Sequence, residues 1–440
     1  MFGLGSRFGR TPSQGVVLPG SPASLFWRAQ NDPLDLFQEA ASLGAEVVHL
    51  PLTAGFTPYA AIHGSAAREM LVERPDDFPK ETRGQRLLRG LLGASVLTTE
   101  GDTWKARRRI VQPSFTRAHY GRYATIMQEL TDKAIDGWGP TIDLRGELMK
   151  LTLSIACETL FSDGLDGEAE IVDAALSDAL DAYNFLLAVP FLRIDSRLPF
   201  GPPRRWRHAK ADLARVVADL LARRRASDHD ADDLLGRLLA SGLDDDAIAS
   251  EVVTMLLAGH ETTANALCWG LWELARRPAL QRQLQAEVAD AGPLGMDALR
   301  KLPLTKGVWQ ETLRLHPPVW MLARGVREDT TLGGHPIAKD TTAFLCVHVL
   351  HRDPATWQDP EAFDPHRWER GPQGIYLPFG AGHRKCMGER FAAMEAAIVL
   401  ATVAQRVHLA PTAEPDPKPN LSVTLRPMNA VHVHSRPLAA

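Results

Sequence analysis

The 440-residue chain has only four cysteines, Cys157, Cys268, Cys346 and Cys386, and no CxxC pair among them. That scatter excludes a zinc ribbon or a disulfide framework and suits a reducing cytoplasm. The chain also lacks any run of the ~20 apolar residues that a membrane span needs. Residues 1–30 mix Gly, Pro, Ser and Arg without an apolar core of signal-peptide length. A cytoplasmic protein with no stable membrane anchor is therefore expected. A strongly basic balance is missing too: the formal net charge is −4, which argues against a nucleic-acid partner. No internal repeat and no low-complexity linker divides the sequence. Hydrophobic residues make up 45% and charged residues 23%, enough for a sizeable core. We expect a single domain over residues 1–440, with 1–30 an irregular N-terminal segment.

What is present is mostly helical punctuation. Asp32-Pro33 reads as an N-cap followed by Pro at the first helical position, and Gly44 closes that helix. Strand signals are short: Val47 to Leu50, Thr57 to Ile62, Thr331 to Ile337 and Thr342 to Val349. Breaks fall at Pro75, Pro113, Pro140, the Pro-rich stretch 190–203, Pro278, Pro317-Pro318 and Pro354. The pattern predicts a mainly α fold with a minor β part.

The stretch Phe379 to Arg390 reads Phe-Gly-Ala-Gly-His-Arg-Lys-Cys-Met-Gly-Glu-Arg. One cysteine sits in a glycine-rich, basic loop, and helical periodicity through Phe391, Met394, Ile398 and Val403 starts a helix at or near Cys386. A cysteine at a helix N-terminus beside Arg384 and Lys385 favours its thiolate, the nucleophilic and metal-binding form. Gly380, Gly382 and Gly388 let the backbone turn tightly beside a large planar group. Cys-Met-Gly by itself fits equally an ordinary loop with a buried, inert cysteine.

From Asp244 to Arg277 helical spacing continues for ~30 residues, well beyond the usual ~11–12, after three aspartates that suit a helix start. In its middle lies Ala258-Gly259-His260-Glu261-Thr262-Thr263. Glycine and paired threonines are poor helix formers, and a Thr hydroxyl competes for a backbone carbonyl. Polar groups at the midpoint of an apolar helix mark either a kink or a functional site. Further on, Glu311 and Arg314 stand at i, i+3 on one helix face, either as an exposed ion pair or as a buried one. Arg367, in Phe363-Asp364-Pro365-His366-Arg367-Trp368, is available as a third member, and a buried charge cluster is tolerable only when fully paired. Trp104 and Arg108 share a face of a helix from about Asp102 to Gln112, crowded by Arg107 and Arg109, which as a solvated basic helix would need no further role.

With Phe379, Gly382, Arg384, Cys386 and Gly388 in register, the loop resembles the haem-binding loop of cytochrome P-450, the haem-thiolate monooxygenases. Trp104 and Arg108, 258–263, Glu311 to Arg314 and 363–368 follow the family's order over nearly the whole chain. The resemblance implies a long central helix over a haem b and a small β-rich subdomain. It makes Cys386 the axial thiolate and places Phe379, Gly380, Gly388, Ala258 and Gly259 against the cofactor. Trp104, Arg108, Arg324 and Arg384 become partners of the propionates, since guanidinium matches carboxylate bidentately. Thr262 becomes the oxygen-side alcohol and Glu261 its acidic neighbour, where many relatives have Asp. Glu311, Arg314 and Arg367 become the lock behind the loop. His260 and His383 are not iron ligands on this reading.

The same resemblance implies a hydroxylation of a hydrophobic, lipid-like small molecule, a fatty acid, terpenoid or carotenoid. The pocket would be lined by Val253, Leu257, Ala258, Thr263, Val319, Trp320, Met321 and Leu322, all but one apolar. The stretch 190–203 would be its lid. No fused reductase is expected, so electrons would come from a separate ferredoxin or similar donor and its reductase. Arg107, Arg109, Lys385 and Arg390 would form the docking surface. A peroxide-driven peroxygenase usually replaces the acid–alcohol pair with Arg-Pro, and a haem-thiolate sensor has no use for proton delivery. Glu261-Thr262 argues against both.

Overall fold

The computed structural model describes residues 15–53, 55–163, 167–188, 201–227, 232–289, 291, 294 and 301–438. The chain folds into two compact units, each assembled from separated stretches: 1–83, 319–361 and 372–386 in one, 84–318, 362–371 and 387–440 in the other.

The first unit carries most of the β structure. Its five-stranded sheet runs in the order Val16–Val17, Val47–His49, Tyr59–Ala61, Thr342–Cys346, Met321–Gly325. The first and third pairings are parallel, the second and fourth antiparallel. Val47, Tyr59, Met70, Phe78 and Leu345 fill its core. A hairpin joins Thr330–Leu332 to His335–Ile337. Its two-residue turn is Gly333-Gly334, both at positive φ, the conformation such turns require.

Two expectations shift here. Residues 1–30 were expected to be irregular, but within them stand the strand Val16–Val17 and most of the helix Pro22–Asn31. Ser21 caps that helix and Pro22 starts it, cues that a composition-based reading of the segment passes over. The strand expected through Val349 ends at Cys346, where the short helix Val347–Leu350 begins. The helix after Asp32 forms as read: Pro33–Ser42, with the Asp32 carboxylate accepting from Asp35 N, and Gly44 at positive φ just beyond.

The second unit is built on one helix, Asp245–Ala275. At 1.5 Å per residue its 31 residues span about 46 Å. Asp244 caps it by accepting from Ala247 N at 2.8 Å, and Asp245 and Asp246 occupy the first turn. From Glu251 onward almost every residue is buried, as expected of a helix that is apolar all round. Helix Leu144–Leu160 packs along it, and helices Ala169–Ala188 and Gly201–Ala226 pack on each other. Near the C-terminus an antiparallel sheet pairs His432–Pro437 with Thr141–Asp143 and Val407–Pro411. A hairpin, Pro419–Leu421 with Leu425–Pro427, adds the last strands. Of the stretch 190–203 expected to be a lid, 190–200 lies outside the described residues, and 201–203 open the helix Gly201–Ala226. No helix among the described residues is long and apolar enough to cross a membrane.

Candidate active site

The cysteine loop closes on itself through its backbone. Cys386 N donates to Phe379 O at 3.0 Å, Gly380 N to Leu377 O at 3.0 Å, and Lys385 N to Gly382 O at 3.1 Å. Gly380 and Gly382 both adopt positive φ. A Cβ on Gly382 would collide with the Leu71 carbonyl, so no other residue fits there. His351 Nε2 accepts from Leu377 N at 2.8 Å, anchoring the entry to the loop in the first unit. The helix expected at Cys386 begins three residues later, at Glu389, with Gly388 as N-cap and Glu389 in the dipole-favoured first turn. Cys386 thus stands just ahead of an 18-residue helix.

Exposure separates this thiol from the rest. Cys157, Cys268 and Cys346 are buried, whereas Cys386 is exposed. Burial pushes the Cys346 thiol up to about 12 and the other two higher still, so none of the three is poised to act as a thiolate. His383 is exposed in the same loop, Phe379 is half-buried and Arg384 is partly buried. Arg324 is buried on the strand Met321–Gly325, with Nη1 donating to Ala323 O at 3.0 Å. Met321 and Leu322 on that strand are half-buried, as is Val319, while Trp320 is buried.

On the long helix of the second unit the burial pattern breaks at one place. Ala258 is exposed, and Gly259 and Thr262 are half-buried, at the small-residue turn that the sequence marks. The three lie at i, i+1 and i+4, on one face. Val253 and Leu257, each 8% exposed, precede them. The Thr262 hydroxyl donates back to Ala258 O at 2.7 Å, the carbonyl competition that the paired threonines suggested. A flat, apolar-faced group fits such a stripe, and an exposed thiol in a glycine cradle fits a soft metal ion. The residues present therefore fit a haem with cysteine ligation.

Glu261 faces elsewhere. It is 2% exposed; Oε1 accepts from Thr424 Oγ1 at 2.8 Å and lies 3.7 Å from Arg426 Nη1. Arg426 in turn donates to Asp181 at 2.6 Å. Burial, opposed by Thr424 and Arg426, raises the Glu261 carboxyl above its ordinary value. His260 is fully buried, with Nε2 3.4 Å from Asp173 Oδ1. Thr263, expected to line the pocket, is 3% exposed and faces the fully buried Glu395 of the helix Glu389–Arg406.

Elsewhere in the second unit Glu311 is the hub of a buried network. Its carboxylate accepts from Arg314 Nε and Nη2 at 2.9 and 2.8 Å, Arg367 Nε at 2.9 Å, Trp368 Nε1 at 2.9 Å and Asp364 N at 3.0 Å. Both arginines also donate to Ala362 O. Glu311 and Arg314 are 0% exposed and Arg367 4%, so the buried reading of the pair holds. Trp368, Thr424, Arg426 and Asp181 were not singled out from sequence. Trp368 was readable as a donor beside Arg367, but nothing local connects Thr424 or Arg426 to a glutamate some 160 residues earlier.

Trp104 and Arg108 do meet. The guanidinium lies 5.6 Å from the indole centroid, on the helix Gly101–Val111, and Arg108 Nε donates to Gln112 at 3.0 Å. Of the four cations expected on a docking surface, Arg109, Lys385 and Arg390 are exposed. Arg107 is turned inward instead: its side chain is 11% exposed and its Nε lies 3.7 Å from the buried Glu251 carboxylate.

Comparison with known proteins agrees with this geometry. The family model for cytochrome P450 matches residues 25–433. Cyclooctat-9-en-7-ol 5-monooxygenase of Streptomyces melanosporofaciens is 35% identical over 376 residues, covering 80% of each chain. Cyclooctatin synthase of the same organism is 34% identical, covering 78% of this chain and 79% of that one. Pentalenene oxygenase of Streptomyces avermitilis is 30% identical, covering 89% of each. A thiol exposed in a glycine-closed loop, a small-residue turn on a buried helix and a family match over both units lead to one conclusion: the chain belongs to the cytochrome P450 family, whose members are haem-dependent monooxygenases.

Proposed function

We propose that the chain hydroxylates a cyclic terpenoid, using a haem b ligated by Cys386 and electrons from a separate ferredoxin-type donor with its reductase. The observation that carries the ligand assignment is that Cys386 is the exposed member of the four cysteines, in a glycine-closed loop within the residues that match the family. Haem supplies the redox-active iron at which dioxygen is activated for insertion of one oxygen atom into a C–H bond. Arg324, Arg384, Trp104 and Arg108 are the groups to hold its propionates, and Ala258 and Gly259 keep the helix free of bulk against its face. The family model spanning both units supports treating them as one functional domain.

Thr262 holds a proton within reach of that face. Its hydroxyl now donates to Ala258 O, so rotation about χ1 is needed before it donates elsewhere. Glu261 is a buried acid one residue away that keeps a proton in store. Val253, Leu257, Val319, Met321 and Leu322 supply apolar lining suited to a hydrocarbon skeleton. Of the fatty acid, terpenoid and carotenoid classes, the terpenoid fits the cyclic alkene and alkenol in the relatives' names.

The test is spectroscopic. Reduced protein with carbon monoxide should show the far-red Soret band of thiolate ligation, and Cys386→Ser should abolish it. A band at the position of a histidine-ligated haem would refute the assignment. Cyclic terpenes should shift the ferric spin state, and a response to fatty acids alone would redirect the substrate class.

A further inference from the structure

A crevice in the second unit runs behind the Glu261 side of the long helix. Its polar lining is Arg145, Ser177, His260, Glu261 and Arg426, and Met149, Leu176 and Leu180 contribute apolar walls. Its volume is about 10 Å³, close to the ~10–15 Å³ that a single water occupies in that measure. Among the described residues, Glu261 Oε2 and Arg145 Nε here have no hydrogen-bond partner, and the His260 ring nitrogens make no well-aligned bond, the ring facing the Met149 backbone and, from Nε2, Asp173. His260 is 0% exposed and Glu261 2%. Buried polar atoms are almost always satisfied by protein or ordered water, and an unsatisfied one costs ~1–3 kcal/mol. Glu261 Oε2 and Arg145 Nε without partners, beside the inner edge of the His260 ring and around one water-sized space, mark a built hydration site. Outside the lining, Asp173, whose side chain is 47% exposed, stands 3.4 Å from His260 Nε2.

We propose that a water held between His260 and Glu261 links Glu261 to solvent through Asp173, making His260 and Asp173 positioning residues for proton supply. This rests on the reading of Glu261 as the acid that restocks the site. One proton enters at Asp173 and passes to His260, the ring releases its own proton to the water, and the water passes one to Glu261 Oε2. No electron moves, and the net result is one proton taken from solvent and one placed on the carboxylate. Burial and the Arg145 charge hold His260 down to about 4, so the ring relays as a neutral group instead of storing charge. Arg426, tied to Asp181 and facing Glu261 Oε1, keeps the carboxylate oriented with Oε2 left to the water.

The experiment reads the proton itself. In the holoenzyme transferred to D₂O, the infrared carbonyl band of the protonated Glu261 acid, identified by its loss in Glu261→Gln, shifts as the proton exchanges. His260→Phe fills the crevice and removes both nitrogens; exchange should slow at least about a hundredfold, the low end of what a positioned proton-transfer group contributes. Asp173→Asn, at a half-exposed position that tolerates change, should slow it in the same direction, and His260→Gln should restore part of the rate. Unchanged exchange in Asp173→Asn, or in a folded His260→Phe, overturns the proposal. The carbon monoxide band keeps the outcomes separate. If it is intact and exchange is unaffected, the relay alone fails; if it is absent, the haem assignment fails whatever the exchange shows.

Discussion

Glu311 illustrates how one carboxylate organises charged residues in a core. Five donors from Arg314, Arg367, Trp368 and the Asp364 backbone converge on its two oxygens, with Glu311 and Arg314 fully buried and Arg367 and Trp368 nearly so. Moving such charges out of water costs several kcal/mol per ion, and the pairing offsets this only while every partner stays. Glu311→Ala would leave two guanidinium groups in the core without their shared counter-charge. The expected loss is roughly 3–5 kcal/mol, read from the denaturant midpoint of the purified variant, with incomplete haem loading as a visible consequence. A loss below ~1 kcal/mol, the range of exposed pairs, would mean that the network is wetter than its burial indicates. At this scale the sequence was informative: a Glu and an Arg at i, i+3 beside buried leucines, and a second Arg near prolines. The Ala362 carbonyl escaped it because a backbone acceptor leaves no charge pattern to read, and Trp368, though readable as a donor beside Arg367, was not singled out.

Between elements, the clearest coupling runs from the long helix to the turn before Gly101–Val111. Glu251, 0% exposed, accepts from Val96 N at 2.9 and 3.1 Å and lies 3.7 Å from Arg107 Nε. Thus the helix that carries Thr262 is fastened to the one that carries Trp104 and Arg108. Burial, partly opposed by the Val96 N–H and Arg107, raises the Glu251 carboxyl to about 7. The unfolded chain ionises this group near its ordinary value of 4.5. Between those values the folded state holds a proton that the unfolded state has lost, so stability falls as pH rises. The contribution is fully present below the unfolded value and is gone above the folded one, an interval worth ~3 kcal/mol. Glu251→Gln keeps an acceptor for Val96 N and titrates nothing. Its stability should therefore fall less than that of the wild-type protein from about pH 5 to about pH 8, by urea unfolding at each pH. Parallel curves would remove Glu251 from the pH response. From sequence Arg107 was placed on a docking surface, since a run of arginines reads as solvated; its inward turn depends on a glutamate some 140 residues later.

For the molecule as a whole, what was legible follows from how local each signal is. The cysteine loop and the long helix announce themselves within a dozen residues, through glycine placement, an N-cap and broken periodicity. The surroundings of Glu261 do not, because Thr424 and Arg426 arrive from the C-terminal hairpin and Asp181 from another helix. The residues proposed to hold the haem are spread along the chain: Trp104 and Arg108, Ala258, Gly259 and Thr262, Arg324, and Arg384 and Cys386. A cofactor that binds the folded chain and not the unfolded one stabilises by about 4 kcal/mol at a thousandfold excess over its dissociation constant. Haem-free and haem-loaded protein should therefore differ in thermal midpoint by calorimetry. Hydrogen exchange should show added protection in two separate stretches, 379–388 and 258–263, because local opening is suppressed wherever the ligand adds contacts. Cys386→Ser should erase both protections together if the thiolate is what retains the haem. Protection confined to 379–388 would detach the long helix from the cofactor, and with it the reading of Thr262 as the proton-bearing alcohol.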